Sequence, residues 1–132
     1  MSNRGRILLV EDDPEAALFA VTVLAKRGNF EVTHTTDPAV ALELAAAQGW
    51  DLVVTDVEMP GMSGLELLDA LRRIAPALPV AVLTAHVQLD TAALIGRADE
   101  FLTKPVRVDQ LLATATALIG RAAGRPEPAT GQ

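Results

Sequence analysis

A chain of 132 residues, 50% of them hydrophobic and 21% charged, has room for one folded core and no second domain of comparable size. A formal charge of −6 and a pI near 4.8 exclude a surface built for nucleic acid or anionic lipid, both of which need clustered Lys and Arg. The absence of cysteine excludes disulfides and thiolate metal sites, and no apolar run reaches the roughly 18 residues of a membrane span. The opening MSNRGR lacks the core of a signal peptide, so a cytoplasmic protein that contacts neither membrane nor nucleic acid directly is expected.

In chain order, ILLV (7–10) is a short apolar run bounded by polar residues and reads as a strand buried on both faces. Asp13 and Pro14 then supply an N-cap and a first helical position, with Leu18, Val21 and Ala25 as the core-facing stripe. FEVTH (30–34) alternates in the manner of an edge or near-edge strand, with His34 at its surface end. Asp37 and Pro38 open a second helix, whose stripe is Ala41, Leu44 and Ala45.

DLVVTD (51–56) is again a doubly buried strand, but it ends on an acid, Asp56. Trp50 lies at the other end of that strand, about 20 Å away at roughly 3.3 Å per residue, too far to report on events at Asp56. Met59, Pro60 and Gly61 turn the chain, and Ser63 with Glu66 forms a capping box for a third helix with Leu67, Leu71 and Ile74 inward. PVAVLT (79–84) is the third buried strand and closes on Thr84. A fourth helix leads to EFLTK (100–104), a weaker strand closing on Lys104 and Pro105. The last helix is expected from Val108 to Arg121, with Leu111, Leu112, Ala115, Leu118 and Ile119 on one side. Residues 122–132, AAGRPEPATGQ, contain no core residue and read as a flexible tail or linker stub beyond a folded unit of residues 5–121.

Five successive β-α units predict one parallel sheet with helices on both faces and right-handed crossovers. In such sheets function gathers at the carboxyl ends of the strands. Here those ends deliver Glu11, Asp12 and Asp13 after the first strand, Asp56 on the third, Thr84 on the fourth and Lys104 on the fifth. Asp13 is fully explained as an N-cap.

The motifs ILLVEDDP, DLVVTDVEMPGMSG, VLTA and ADEFLTKP together resemble the response-regulator receiver domain, the phosphate-accepting module of two-component signalling. The resemblance spans nearly everything but the tail. It implies a flavodoxin-like, doubly wound sheet of strand order 2-1-3-4-5 with five helices. It also implies that Asp56 is the phosphoacceptor, that Glu11 and Asp12 form an acid pocket, and that Thr84 and Lys104 contact the phosphoryl group.

Three crowded carboxylates repel one another unless a cation neutralises them, so a divalent metal is expected. Oxygen donors alone favour Mg2+, with Mn2+ as a substitute: Asp12, Asp56 and the Glu58 backbone carbonyl as direct ligands, and Glu11 through a water. The resemblance further implies a switch formed by Thr84 and Phe101, which reshapes the surface of the fourth helix, fifth strand and fifth helix for partner binding or for homodimerisation on phosphorylation. It implies a cis peptide bond at Lys104–Pro105, and side chains at Glu58 and His86 that set phosphate lifetime. The expected partners are a sensor histidine kinase or histidine phosphotransfer protein upstream and an output protein or domain downstream. Such a module assists its own modification but is not a turnover enzyme. Two other readings are a pseudo-receiver that binds partners without phosphate and an aspartyl-phosphate phosphatase. The phosphatase reading wants an Asp two positions after the nucleophile, where Glu58 stands, and a nucleophile on the first strand.

Overall fold

The structure, a computed structural model, describes residues 5–47, 49–58, 61–85 and 97–124, excluding the side chains of 121–124. Five strands form the sheet: β1 (Arg6–Val10), β2 (Glu31–Thr35), β3 (Leu52–Asp56), β4 (Val80–Thr84) and β5 (Glu100–Thr103). All adjacent pairs are parallel, in the order β2-β1-β3-β4-β5. Every residue of β3 and β4 is buried, because helices cover both faces of these central strands. Alternate side chains along β1 therefore feed different cores. Ile7 and Leu9 join Leu24, Leu111, Ala115 and Leu118 on one face, whereas Leu8 and Val10 join Ala41, Leu67, Leu68 and Leu71 on the other.

The described α-helices are α1 (Pro14–Thr22), α2 (Pro38–Ala47), α3 (Gly64–Ile74) and α4 (Val108–Gly124). The helix expected between β4 and β5, and the tail beyond residue 124, lie outside the described residues. The start signals operate as the sequence predicts. The Asp13 carboxylate accepts from the Ala16 N–H at 3.0 Å, and that of Asp37 accepts from Ala39 at 2.9 Å. Ser63 and Glu66 complete a reciprocal capping box. Helix α4 continues to Gly124, past the expected Arg121, since Ala122 and Ala123 are strong helix formers.

Two expected core positions are corrected. Leu18 is 69% exposed, and the first helix buries Ala17, Ala20, Val23 and Leu24 instead. Ala17, Ala20 and Leu24 keep the ordinary three-and-four spacing of one helix face, one position out of phase with the expected stripe; the π-helical turn at Val23–Arg27, where the Gly28 N–H donates to the Val23 carbonyl, begins only after Leu18. Ile74, in the last turn of α3, is 39% exposed, and Leu68 is buried in its place. Replacing Leu18 by Ala is accordingly expected to change unfolding free energy by no more than about 0.5 kcal/mol in a urea titration. A cost of several times that would restore Leu18 to the core.

The sheet order places β1 beside β3, with chain connections leaving these two strands in opposite directions. A crevice opens where the connections part, at the carboxyl edge of β1 and β3. Glu11, Asp12 and Asp56 stand on that edge. Trp50 is at the opposite edge, its indole N–H on the Leu44 carbonyl and its ring 4.7 Å beneath the Arg6 guanidinium.

Candidate functional site

Asp56 is the last residue of β3 and 3% exposed. A buried strand leaves its side chain little freedom, and three groups fix the residue further. The Glu58 N–H donates to Oδ1 at 2.9 Å, Lys104 Nζ donates to Oδ2 at 2.9 Å, and the neighbouring Thr55 hydroxyl ties down the Asp56 carbonyl at 2.8 Å. Lys104 follows β5 and keeps the ladder with β4 through its own N–H on the Thr84 carbonyl, which aims its stem along the edge. Its peptide bond to Pro105 is cis, as expected from the resemblance.

Glu11 is fully buried directly after β1. Its N–H donates to the Thr35 carbonyl, and its own carbonyl is 2.8 Å from His34 Nε2, which donates to it. Oε2 accepts the Asp13 N–H at 3.1 Å, while Oε1 receives no hydrogen bond from the described residues and meets only the Lys104 ammonium as an ion pair at 3.1 Å. Asp12 joins from the solvent side: one oxygen each from Glu11, Asp12 and Asp56 lies within 4.8 Å of the others.

The charges interlock. Burial pushes the Glu11 carboxyl above its ordinary range, the Asp13 N–H opposes that, the nearby Asp56 charge adds to it, and Lys104 opposes it. Burial alone would lower the Lys104 ammonium, but its contacts with Asp56 and Glu11 outweigh it, so the group is held protonated more firmly than usual.

Among the described residues the buried Glu11 Oε1 meets only the Lys104 ammonium, so three clustered acids share one cation and the donor array is short of positive charge. All donors are hard oxygens, so the residues fit a small divalent cation of the Mg2+ type.

Thr84 ends β4 and is 4% exposed; its Oγ1 donates to Glu58 Oε2 at 3.2 Å. Phe101 lies opposite Val82 and packs half-buried against the core shared by α2 and α3. Thr84 is two residues beyond Val82, so Thr84 and Phe101 occupy the same face of the sheet. His86, Met59 and Pro60 lie outside the described residues; Gly61 turns the loop with φ of 98°, where a side chain would be strained.

The structure thus brings together Glu11, Asp12, Asp56, Glu58, Thr84 and Lys104. The sequence reading missed the contribution of His34, which holds the Glu11 carbonyl. It also missed the packing of Gly64 on Val57, where an added Cβ would stand 2.4 Å from the Val57 Cβ. Strand register carries the first, and the close approach of α3 to the end of β3 carries the second; neither can be counted from spacing.

The response regulator receiver domain family matches residues 7–116. The transcriptional regulatory protein TcrA of Mycobacterium tuberculosis is 40% identical over 131 residues, covering 95% of this chain and 49% of that protein. TctD of Salmonella typhimurium, also a transcriptional regulatory protein, is 38% identical over 122 residues, covering 91% of this chain and 54% of its own. The chain spans about half the length of the curated relatives it matches. Among solved structures, the receiver domain of a Pseudomonas aeruginosa PAO1 sensor histidine kinase, with a magnesium ion coordinated in its active-site cleft, superposes with a TM-score of 0.82. It is 27% identical, and the match covers 89% of this chain and 98% of that one. A parallel sheet of this order, an acid cluster at its crevice and the extent of the family match together make the chain a member of the response regulator receiver domains.

Proposed function

We propose that this chain is a phosphoacceptor switch in which Asp56 takes a phosphoryl group from a phosphohistidine on a histidine kinase or phosphotransfer protein. A carboxylate oxygen of Asp56 attacks phosphorus, the phosphorus–nitrogen bond breaks, and the donor imidazole leaves with the electron pair and takes up a proton. Asp12, Asp56 and the Glu58 carbonyl would hold Mg2+ directly, with Glu11 through a water; the ion, when bound, neutralises charge on the transferring group. The protein's own part is positioning and electrostatics. Burial and three hydrogen bonds fix Asp56, and the Lys104 ammonium, held firmly protonated 2.9 Å from Asp56 Oδ2, would neutralise charge developing on the equatorial oxygens.

The single observation that carries this reading is the convergence of Lys104 on both Asp56 and Glu11 at 2.9 and 3.1 Å. Thr84 and Phe101, on one face of the sheet, are the proposed switch, and Glu58 and His86 the proposed tuners of phosphate lifetime. The output is a change of partner at the last strand and last helix, toward a downstream protein or domain or a second copy. Residues 5–121 form the functional unit in this reading. The chain is a signalling module that assists its own modification.

The test is incubation with acetyl phosphate and Mg2+, followed by fragmentation mass spectrometry. One phosphoryl group on Asp56, lost on adding EDTA before the donor, is the expected result. No added mass would favour the pseudo-receiver reading, and many turnovers of a phosphoester per chain would favour a phosphatase.

A further inference from the structure

The hydroxyl on which the proposed switch turns is already engaged. Thr84 Oγ1 donates to Glu58 Oε2 at 3.2 Å, and Thr84 itself is buried. Glu58 is exposed, and its backbone N–H is anchored on Asp56 Oδ1 at 2.9 Å. An exposed carboxylate from the loop after β3 therefore reaches across to the end of β4. There it takes the one hydroxyl proton that a phosphoryl oxygen on Asp56 would accept.

We propose that Glu58 is a latch on Thr84: in the unmodified protein its carboxylate holds the hydroxyl, and a phosphoryl group on Asp56 must displace it. This rests on the reading of Asp56 as phosphoacceptor and deepens it. A hydroxyl has one proton, so Glu58 and the phosphoryl group compete for it rather than share it. Both are anionic acceptors, so the difference between the two states is small and removing one competitor shifts the balance measurably. The latch sets the equilibrium between two positions of Thr84, which is a different role from bordering the path of a hydrolytic water. Because the Glu58 N–H also holds Asp56, the same residue ties the acceptor to the switch through its backbone and restrains the switch through its side chain.

The test uses beryllofluoride with Mg2+ as the phosphoryl probe, titrated by NMR into wild type, Glu58→Ala, Thr84→Val and the double variant, with Thr84→Ala as a second form should the valine variant not fold. Glu58→Ala is expected to bind the probe about 3- to 10-fold more tightly, the range of one hydrogen bond. In the Thr84→Val background the same change is expected to have no effect, because no hydroxyl remains to be released. Glu58→Gln, which keeps an acceptor and loses the charge, is expected closer to wild type than to Glu58→Ala. Equal tightening with and without the Thr84 hydroxyl would mean that Glu58 acts by charge repulsion alone, and the latch falls. Unchanged affinity in Glu58→Ala would also overturn it. Failure of wild type to bind the probe, or equal binding by Asp56→Asn, would instead overturn the phosphoacceptor reading and the latch with it.

Discussion

Lys104→Met is expected to slow phosphorylation of Asp56 by acetyl phosphate by about 10²- to 10³-fold, the usual effect of removing one preorganised charge donor. The same change should destabilise the metal-free protein at neutral pH by about 3 kcal/mol, because it strips two buried carboxylates of their shared cation. Lys104 is the ion-pair partner of both Glu11, fully buried, and Asp56, 3% exposed. The deficit should depend on pH with a definite sign. Glu11 is already raised above 4.5 by burial and by Asp56, with Lys104 opposing; without Lys104 it rises further. A folded-state pKa above the unfolded one favours the fold at low pH, and that contribution is lost as pH climbs through the folded value. The gap between variant and wild type should therefore close as pH falls toward 4.5 and widen toward neutrality. In wild type, the Lys104 contribution persists up to its ordinary 10.5 and is lost only as pH rises through its elevated folded value. Mg2+ should stabilise the variant more than wild type, since no ammonium competes for the cluster. Urea unfolding across pH, with and without Mg2+, measures all three, and a gap that ignores both would deny Lys104 its electrostatic role.

Much of this architecture is legible in the residues themselves. Apolar runs of a few residues mark β1, β3 and β4 because both faces of those strands are covered, and Asp13, Asp37 and Ser63 mark helix starts because their oxygens meet the first free N–H groups. Leu18 misled because Ala17 to Leu24 is apolar at nearly every position, so several stripes fit, and only the packing of the helix on the sheet selects the face of Ala17, Ala20 and Leu24. The acids, hydroxyl and ammonium are legible because strand ends converge by topology. What each touches is not. The His34 contact with Glu11 needs the pairing of β1 with β2, and the Thr84 contact with Glu58 needs that of β3 with β4. Arg72 makes the same point away from the site. It reads as one charge on α3, yet it donates to the carbonyls of Arg97, Pro76 and Leu78 and pairs with Asp99, closing the sheet's far edge.

Gly64→Ala is expected to cost about 3 kcal/mol and to impair phosphorylation by more than the loss of folded protein explains, since overpacking at its distances falls at the upper end of the usual range of about 1–3 kcal/mol. Helix α3 begins at Gly64, whose added Cβ would meet the Val57 Cβ at 2.4 Å, its Cγ1 at 2.7 Å and its Cα at 3.1 Å. Alanine's advantage in helices, about 1 kcal/mol over glycine at interior positions, opposes this but is smaller at a first helical position. The displaced residue matters more than the energy. Val57 is bonded to both Asp56 and Glu58, so relief of the clash moves the acceptor, the N–H that holds it and the carboxylate that meets Thr84. Cutting Val57 back to glycine removes the nearest two contacts and leaves the milder one with its Cα. A double-mutant cycle with Val57→Gly should therefore show coupling of about 1 kcal/mol or more, within the range for residues in direct contact. It should also restore part of the phosphorylation rate, although Val57→Gly alone weakens the strand end. Additive stability losses with no recovery of rate would mean that α3 shifts as a unit without disturbing Asp56, and that Gly64 does not position the site.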